Sequence, residues 1–174
     1  ADQCDGCQDD TGDGTDVQLT AKSPVDIHIY DSSGRHVGKN ATGGIDRDIP
    51  GSEYLEYPDR KSIIVHGGDI NSGFSVQVDG TGTGPCELIL TAPDRPGGMV
   101  DTLDYQAIQI KPSTSATMTV DSSKNYMLNL DTNGDGNITP KAPDVITTKE
   151  VDFTAPEAVS DLTVADVTSG SGTL

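Results

Sequence analysis

The chain has 174 residues, 28 acidic and 11 basic, for a formal net charge of −17; hydrophobic residues make up 33%, aromatics 4%, and tryptophan is absent. Such an acidic balance excludes nucleic acid and anionic membrane surfaces as natural partners, and no apolar run approaches the roughly 20 residues of a membrane helix, so no direct membrane insertion is expected. Plentiful Gly, Pro, Ser, Thr and Asp suit short strands joined by turns and disfavour long helices.

Residues 1–16 carry almost no core-forming side chains and read as an acidic, Cys-containing arm. The opening Ala1-Asp2-Gln3 is expected to be a mature end left after signal cleavage at a small residue, and it does not read as a lipid-attachment box before Cys4. Strand signals begin at Val17. Val25, Ile27 and Ile29 alternate with Asp26, His28 and Tyr30, the period-2 pattern of a half-buried strand. Asp31-Ser32-Ser33-Gly34 predicts a turn, and residues 35–38 begin the returning strand. A strand follows over 45–49, then a loop with Pro50-Gly51 that carries Tyr54 and Tyr57, then a strand over 62–66. In 73–79, Phe74, Val76 and Val78 share one face. That strand is expected to form a hairpin with 86–91 across the Gly-rich turn 80–84. Residues 103–110, 117–120 and 126–130 supply three more strands. Turn signals recur roughly every 8–12 residues, which predicts an all-β antiparallel β-sandwich, immunoglobulin-like or jelly-roll-like. Pro140 and Pro143 break the pattern, placing the sandwich at 17–143. Residues 144–174 read as a linker with one unpartnered strand around Val159–Val167.

The most specific chemical motif is Asp131-Thr132-Asn133-Gly134-Asp135-Gly136-Asn137. Oxygens at positions 1, 3 and 5 of such a loop wrap a hard cation, Gly at 6 permits the sharp turn, and position 7 offers its carbonyl. The expected calcium ligands are Asp131, Asn133, Asp135 and the backbone of Asn137, with Ile138 anchoring the loop. Position 12 holds Ala142 in place of the bidentate Glu, and Asp144 is the expected substitute. The flanks lack helical pattern, and the plainer reading is an Asn/Asp/Gly-rich turn. Asp9, Thr11 and Asp13, with Gly14, make a weaker second candidate set, with Thr20 at position 12. Magnesium suits either loop less well, since it prefers fewer protein ligands and more water.

The Asp131 loop resembles a dockerin or EF-hand calcium loop. Residues 23–38 (SPVDIHIYDSSGRHVG), 49–54 (IPGSEY) and 80–90 (GTGTGPCELIL) together resemble a β-sandwich module of secreted bacterial and archaeal surface proteins. Residues 154–174 (TAPEAVSDLTVADVTSGSGTL) resemble the opening strand of a fibronectin type III domain, whose remaining strands do not follow. The resemblance implies an extracellular location. A lone strand exposes unpaired backbone groups, and its addition to a sheet of another copy would build a filament; the plainer reading is a linker.

Cys4, Cys7 and Cys86 are the disulfide candidates in an oxidising compartment, their pairing open between Cys4–Cys7 and a bridge from either to Cys86. His28 and His36 face each other across the predicted hairpin near Asp26 and Asp31; the arrangement could hold a metal, though surface imidazole pairs are commoner. Asn40 and Asn137 begin N-glycosylation sequons. No nucleophile motif, phosphate loop or catalytic carboxylate pair emerges, so no enzyme activity is expected. The leading expectation is a calcium-stabilised structural or adhesive protein of the cell surface that self-associates into a homopolymer or joins other surface domains. The alternative is a carbohydrate-binding or accessory module of a larger secreted enzyme, with glycans as ligands and Tyr54 and Tyr57 as contacts.

Overall fold

A computed structural model describes residues 16–66, 70, 73–94 and 99–150. They form two antiparallel sheets packed face to face, the expected all-β sandwich. The first sheet has six strands in the order β13-β9-β8-β1-β6-β5: β13 (Val145–Glu150), β9 (Met99–Ile110), β8 (Gly84–Asp94), β1 (Val17–Lys22), β6 (Arg60–Val65) and β5 (Ser52–Glu56). The second has seven in the order β12-β11-β10-β7-β2-β3-β4: β12 (Thr139–Lys141), β11 (Leu128–Asp131), β10 (Ser115–Val120), β7 (Phe74–Gly80), β2 (Val25–Asp31), β3 (His36–Lys39) and β4 (Ile45–Arg47).

The alternation read from the sequence is what fills the space between the sheets. Leu19, Ile63, Leu88, Leu90, Leu103 and Tyr105 come from one side; Ile27, Ile29, Val37, Val76, Met118 and Leu128 come from the other. The β2–β3 turn forms as expected. Gly34 takes a left-handed φ of 80°. Asp31 closes the turn by accepting the amides of Ser33 (2.9 Å) and Arg35 (2.8 Å) on Oδ1 and the Arg35 Nε on Oδ2.

Three expectations are corrected. The strands at 74–80 and 84–94 are not a hairpin. β7 lies between β10 and β2, whereas β8 lies between β9 and β1 in the opposite sheet. Both strands have one apolar face, which either arrangement would bury; the long-range partners decide, because each strand gains a neighbour on both edges. The crossover is fixed where the Thr81 amide donates to Pro24 O (3.0 Å) and the Gly80 amide to Thr114 O (2.8 Å).

Second, the sheet does not stop at 143. β13 pairs with β9 from Val145↔Asp104 to Glu150↔Met99, and Pro140 sits within the edge strand β12, opposite Asn129, a place where a missing N–H is tolerated. The cause lies in a bulge. Between Cys86↔Ile108 and Leu88↔Tyr105 the β8–β9 register slips, with Ala107 at a φ of 52°. The bulge moves the buried residues of β9 from odd to even positions, so Tyr105, Ile108 and Ile110 all face the core. It also leaves the Gln106 amide for Asp144 Oδ2 (2.7 Å), just before β13 begins.

Third, the segment after Gly51 is β5 rather than loop, and it buries Tyr54 to 6% exposure. Residues 1–15 and 151–174 lie outside the described residues, and with them Asp9, Thr11, Asp13, Cys4, Cys7 and the fibronectin-like stretch.

Candidate functional site

The loop from Asp131 to Thr139 leaves the end of β11 and returns as β12. It rests on the β9–β10 turn, where Thr114 Oγ1 donates to Thr132 O at 3.1 Å. Gly134 and Gly136 take left-handed φ values of 75° and 81°, which the alternating Asx-Gly sequence permits. The buried Asp131 organises the loop. Its Oδ1 accepts the amides of Asn133 (3.2 Å) and Gly134 (2.7 Å), and its Oδ2 that of Gly136 (2.9 Å). The Gly136 amide first, with those of Gly134 and Asn133, holds this carboxyl below its usual range against the opposing effect of burial.

Asn133 and Asp135 repeat the pattern one step outward. Asn133 Oδ1 accepts the Asp135 amide (3.3 Å), Asp135 Oδ1 accepts the Asn137 amide (2.8 Å), and Asn133 Nδ2 donates to Asp135 Oδ2 (2.9 Å). The side chains of Asn133 and Asp135 are thus brought together at the exposed rim. The donor set fits a hard cation in chemistry: two carboxylates, an amide oxygen and a backbone carbonyl, all oxygen. Asp144 is not drawn in with them. Its Oδ2 is committed to Gln106 N and to Lys141 Nζ (2.8 Å). Among the described residues no group of three or more His, Cys, Asp or Glu side chains is placed to hold a metal; this loop has only two.

The histidine pair is closer than the sequence implied, and its carboxylates are different ones. His28 Nδ1 and His36 Nε2 are 3.0 Å apart. Asp79 faces His28 Nε2 at 3.3 Å and Asp46 faces His36 Nδ1 at 3.1 Å; Asp31 is spent on the turn and Asp26 on lysines. The hydrogen bond from His28, above all, holds the Asp79 carboxyl below its usual range. Asp46 is lowered first by Asn40 and then by His36. The imidazole centroids are 5.2 Å apart, close to the N···N contact plus the two ring radii, so the rings meet head to head. That geometry has room for one hydrogen. A metal needs two lone pairs converging on a point about 2.0–2.1 Å from each nitrogen.

Other candidates fall into structural roles. Asn40 gives its Nδ2 to Asp46 Oδ1 (2.7 Å) and takes the Thr42 hydroxyl on Oδ1 (2.8 Å), so the nitrogen a glycan would need is engaged. Asn137 is exposed. Among the described residues Cys86 is a buried free thiol, its pKa pushed up to about 11 by burial first and by Glu87 second. Tyr57 is 44% exposed, with the Arg60 guanidinium 5.1 Å from its ring centre.

Sequence reasoning missed two buried charged groups, Lys61 and Asp101. Each sits at a strand position whose polarity reads as solvent-facing. No protein-family model matches the chain, and no curated protein matches it. Fold and loop together define its class: an all-β sandwich with an Asx-Gly loop at one end.

Proposed function

We propose that this chain is an extracellular structural or adhesive module, ordered by calcium at 131–139 and joined to neighbouring copies by strand addition at β13. The observation that carries the reading is the state of that edge. β13 is six residues long and exposed throughout. Ile146 pairs with the fully buried Leu103 and so points to the inner side of its sheet, yet it is 54% exposed. Among the described residues nothing covers this inward-facing apolar position at the sheet edge.

Among the described residues the other three edges are guarded in the usual ways. β4 is three residues long with Asp46 and Arg47, β12 contains Pro140, and β5 carries Glu53 and Glu56. Among the described residues β13 has no neighbour on its outer edge; an added strand would satisfy those backbone groups and cover Ile146. The net charge of −17 opposes close approach of copies, and bound calcium lowers that repulsion. The carbohydrate-binding alternative has less support, since Tyr54 is in the core and Tyr57 is covered on one face.

Negative-stain electron microscopy in millimolar calcium and after chelation tests the proposal. Regular fibres that loosen on chelation, and that Ile146→Lys abolishes, are expected. Isolated particles in both conditions would overturn strand addition. An unchanged melting temperature on adding calcium would overturn the metal reading.

A further inference from the structure

At the end of the sandwich where the chain passes from β1 to β2, a lysine of one sheet is buried against a carboxylate of the other. Lys61, on β6, is 7% exposed. Its Nζ donates to Val25 O at 2.9 Å and lies directly against Asp26 Oδ1. The second Asp26 oxygen faces Lys39 Nζ at 3.7 Å. Glu56, the cross-strand partner of Lys61, brings Oε1 within 3.6 Å of Lys61 Nζ. Tyr54 lies two residues back on the same strand, and its hydroxyl is buried with no hydrogen-bond partner among the described residues. Burial first, then the charges of Asp26 and Glu56, push that hydroxyl well above its usual range.

A buried ion pair is a poor source of stability, because desolvation of both charges offsets their attraction. This one has more than a pair requires. A nucleophilic nitrogen touches a carboxyl group, a cation faces the oxygen that would carry negative charge, and a second carboxylate stands beside the nitrogen. A buried hydroxyl has its hydrogen uncommitted in the same neighbourhood. These are the parts of an acyl-transfer site.

We propose that Lys61 and Asp26 condense to an intramolecular amide that joins the two sheets covalently. The ammonium of Lys61 passes one proton to the Asp26 carboxylate, giving an amine and a carboxylic acid. The nitrogen lone pair attacks Cγ, and the C=O π electrons move onto the oxygen beside Lys39. Glu56 takes a proton from Nζ and delivers it to the hydroxyl, which leaves as water with its bonding pair while the C=O re-forms. One ammonium and one carboxylate become one amide and one water, with no change in oxidation state and no co-reactant. The amide keeps a single N–H, and Val25 O is placed to accept it. The bond closes the chain from 26 to 61 into a covalent loop, and it stands or falls independently of calcium and of strand addition.

Intact-mass spectrometry of the purified full chain tests this. The expected mass is below the full sum for the unmodified chain (residues plus the terminal water) by one water, a deficit retained after denaturation and after mild alkaline hydroxylamine, which opens the cyclic imides that Asp-Gly sequences form. The tryptic digest should contain one branched peptide joining the Lys61 and Asp26 segments, uncleaved after Lys61. Lys61→Arg and Asp26→Ala should keep the full mass, and Glu56→Gln should form the bond many times more slowly on refolding. A wild-type mass equal to the full sum with ordinary cleavage after Lys61 would overturn the proposal, as would loss of water that persists in Lys61→Arg.

Discussion

Thr148, on the outermost strand, donates its hydroxyl to Asp101 Oδ1 at 2.7 Å. The other oxygen of this buried carboxylate accepts the Tyr126 hydroxyl, also at 2.7 Å, and Lys124 Nζ stands 3.6 Å away. Asp101 thus pins β13 and the segment after β10 to the same point of β9.

Replacing Asp101 with Ala removes the acceptor of two hydroxyls, Thr148 on the exposed β13 and the half-buried Tyr126. Hydrogen bonds to charged groups contribute about 1.5–3 kcal/mol each, so Asp101→Ala is expected to lose about 3 kcal/mol in urea denaturation. Loss below about 0.5 kcal/mol would show that β13 is not held by this contact.

The same carboxylate sets an acid limit. Burial pushes Asp101 up, but the hydrogen bonds of Thr148 and Tyr126 and the charge of Lys124 outweigh it and hold the group below its usual 3.8. The unfolded chain therefore binds the proton more readily. The contribution is full above the unfolded value and is lost as pH falls through the folded one. Melting temperature should drop more steeply below about pH 4 in the wild type than in Asp101→Asn.

Tyr105 is fully buried between the sheets, and its hydroxyl donates to Tyr126 O at 2.8 Å. Tyr105→Phe keeps the ring and removes that bond. A loss of about 1–2 kcal/mol is expected with the fold unchanged, read from denaturation midpoints at constant m-value.

Gly38 makes room for the histidine pair. A Cβ there would lie 2.6 Å from His28 Nδ1, 2.8 Å from His36 Nε2 and 2.8 Å from Ile27 O. Gly38→Ala should cost about 1–3 kcal/mol, as overpacking of a tight site does. It should also separate the rings, seen as changed imidazole nitrogen shifts in NMR spectra. Unchanged shifts would mean that the pair tolerates the methyl group.

Among the described residues Cys86 is a buried free thiol with its pKa raised to about 11, so in that state it is protonated and inaccessible at neutral pH. A thiol reagent should modify it only after denaturation. Rapid labelling of Cys86 in the native chain would place it at the surface instead.

The fold class and the local turns were legible in the residues alone. The alternation in Val25–Ile29 and Phe74–Val78 is a property of single strands, and the Asp31–Gly34 turn closes with its own side chains. The Asx-Gly run at 131–137 likewise forms from bonds within seven residues. What lay between distant segments was decided by the tertiary structure. Phe74–Gly80 and Gly84–Asp94 have the pattern of a hairpin, yet each is claimed by partners far away in the chain. The parity break between Tyr105 and Ile108 is visible in the sequence, but its consequence, an amide freed for Asp144 and a strand added beyond Pro143, requires the sheet. Lys61 and Asp26 are 35 positions apart and read singly as surface charges. Periodicity records which face of a strand is apolar; it carries no term for which strand comes next, and only packing two sheets together sets that lysine against that carboxylate.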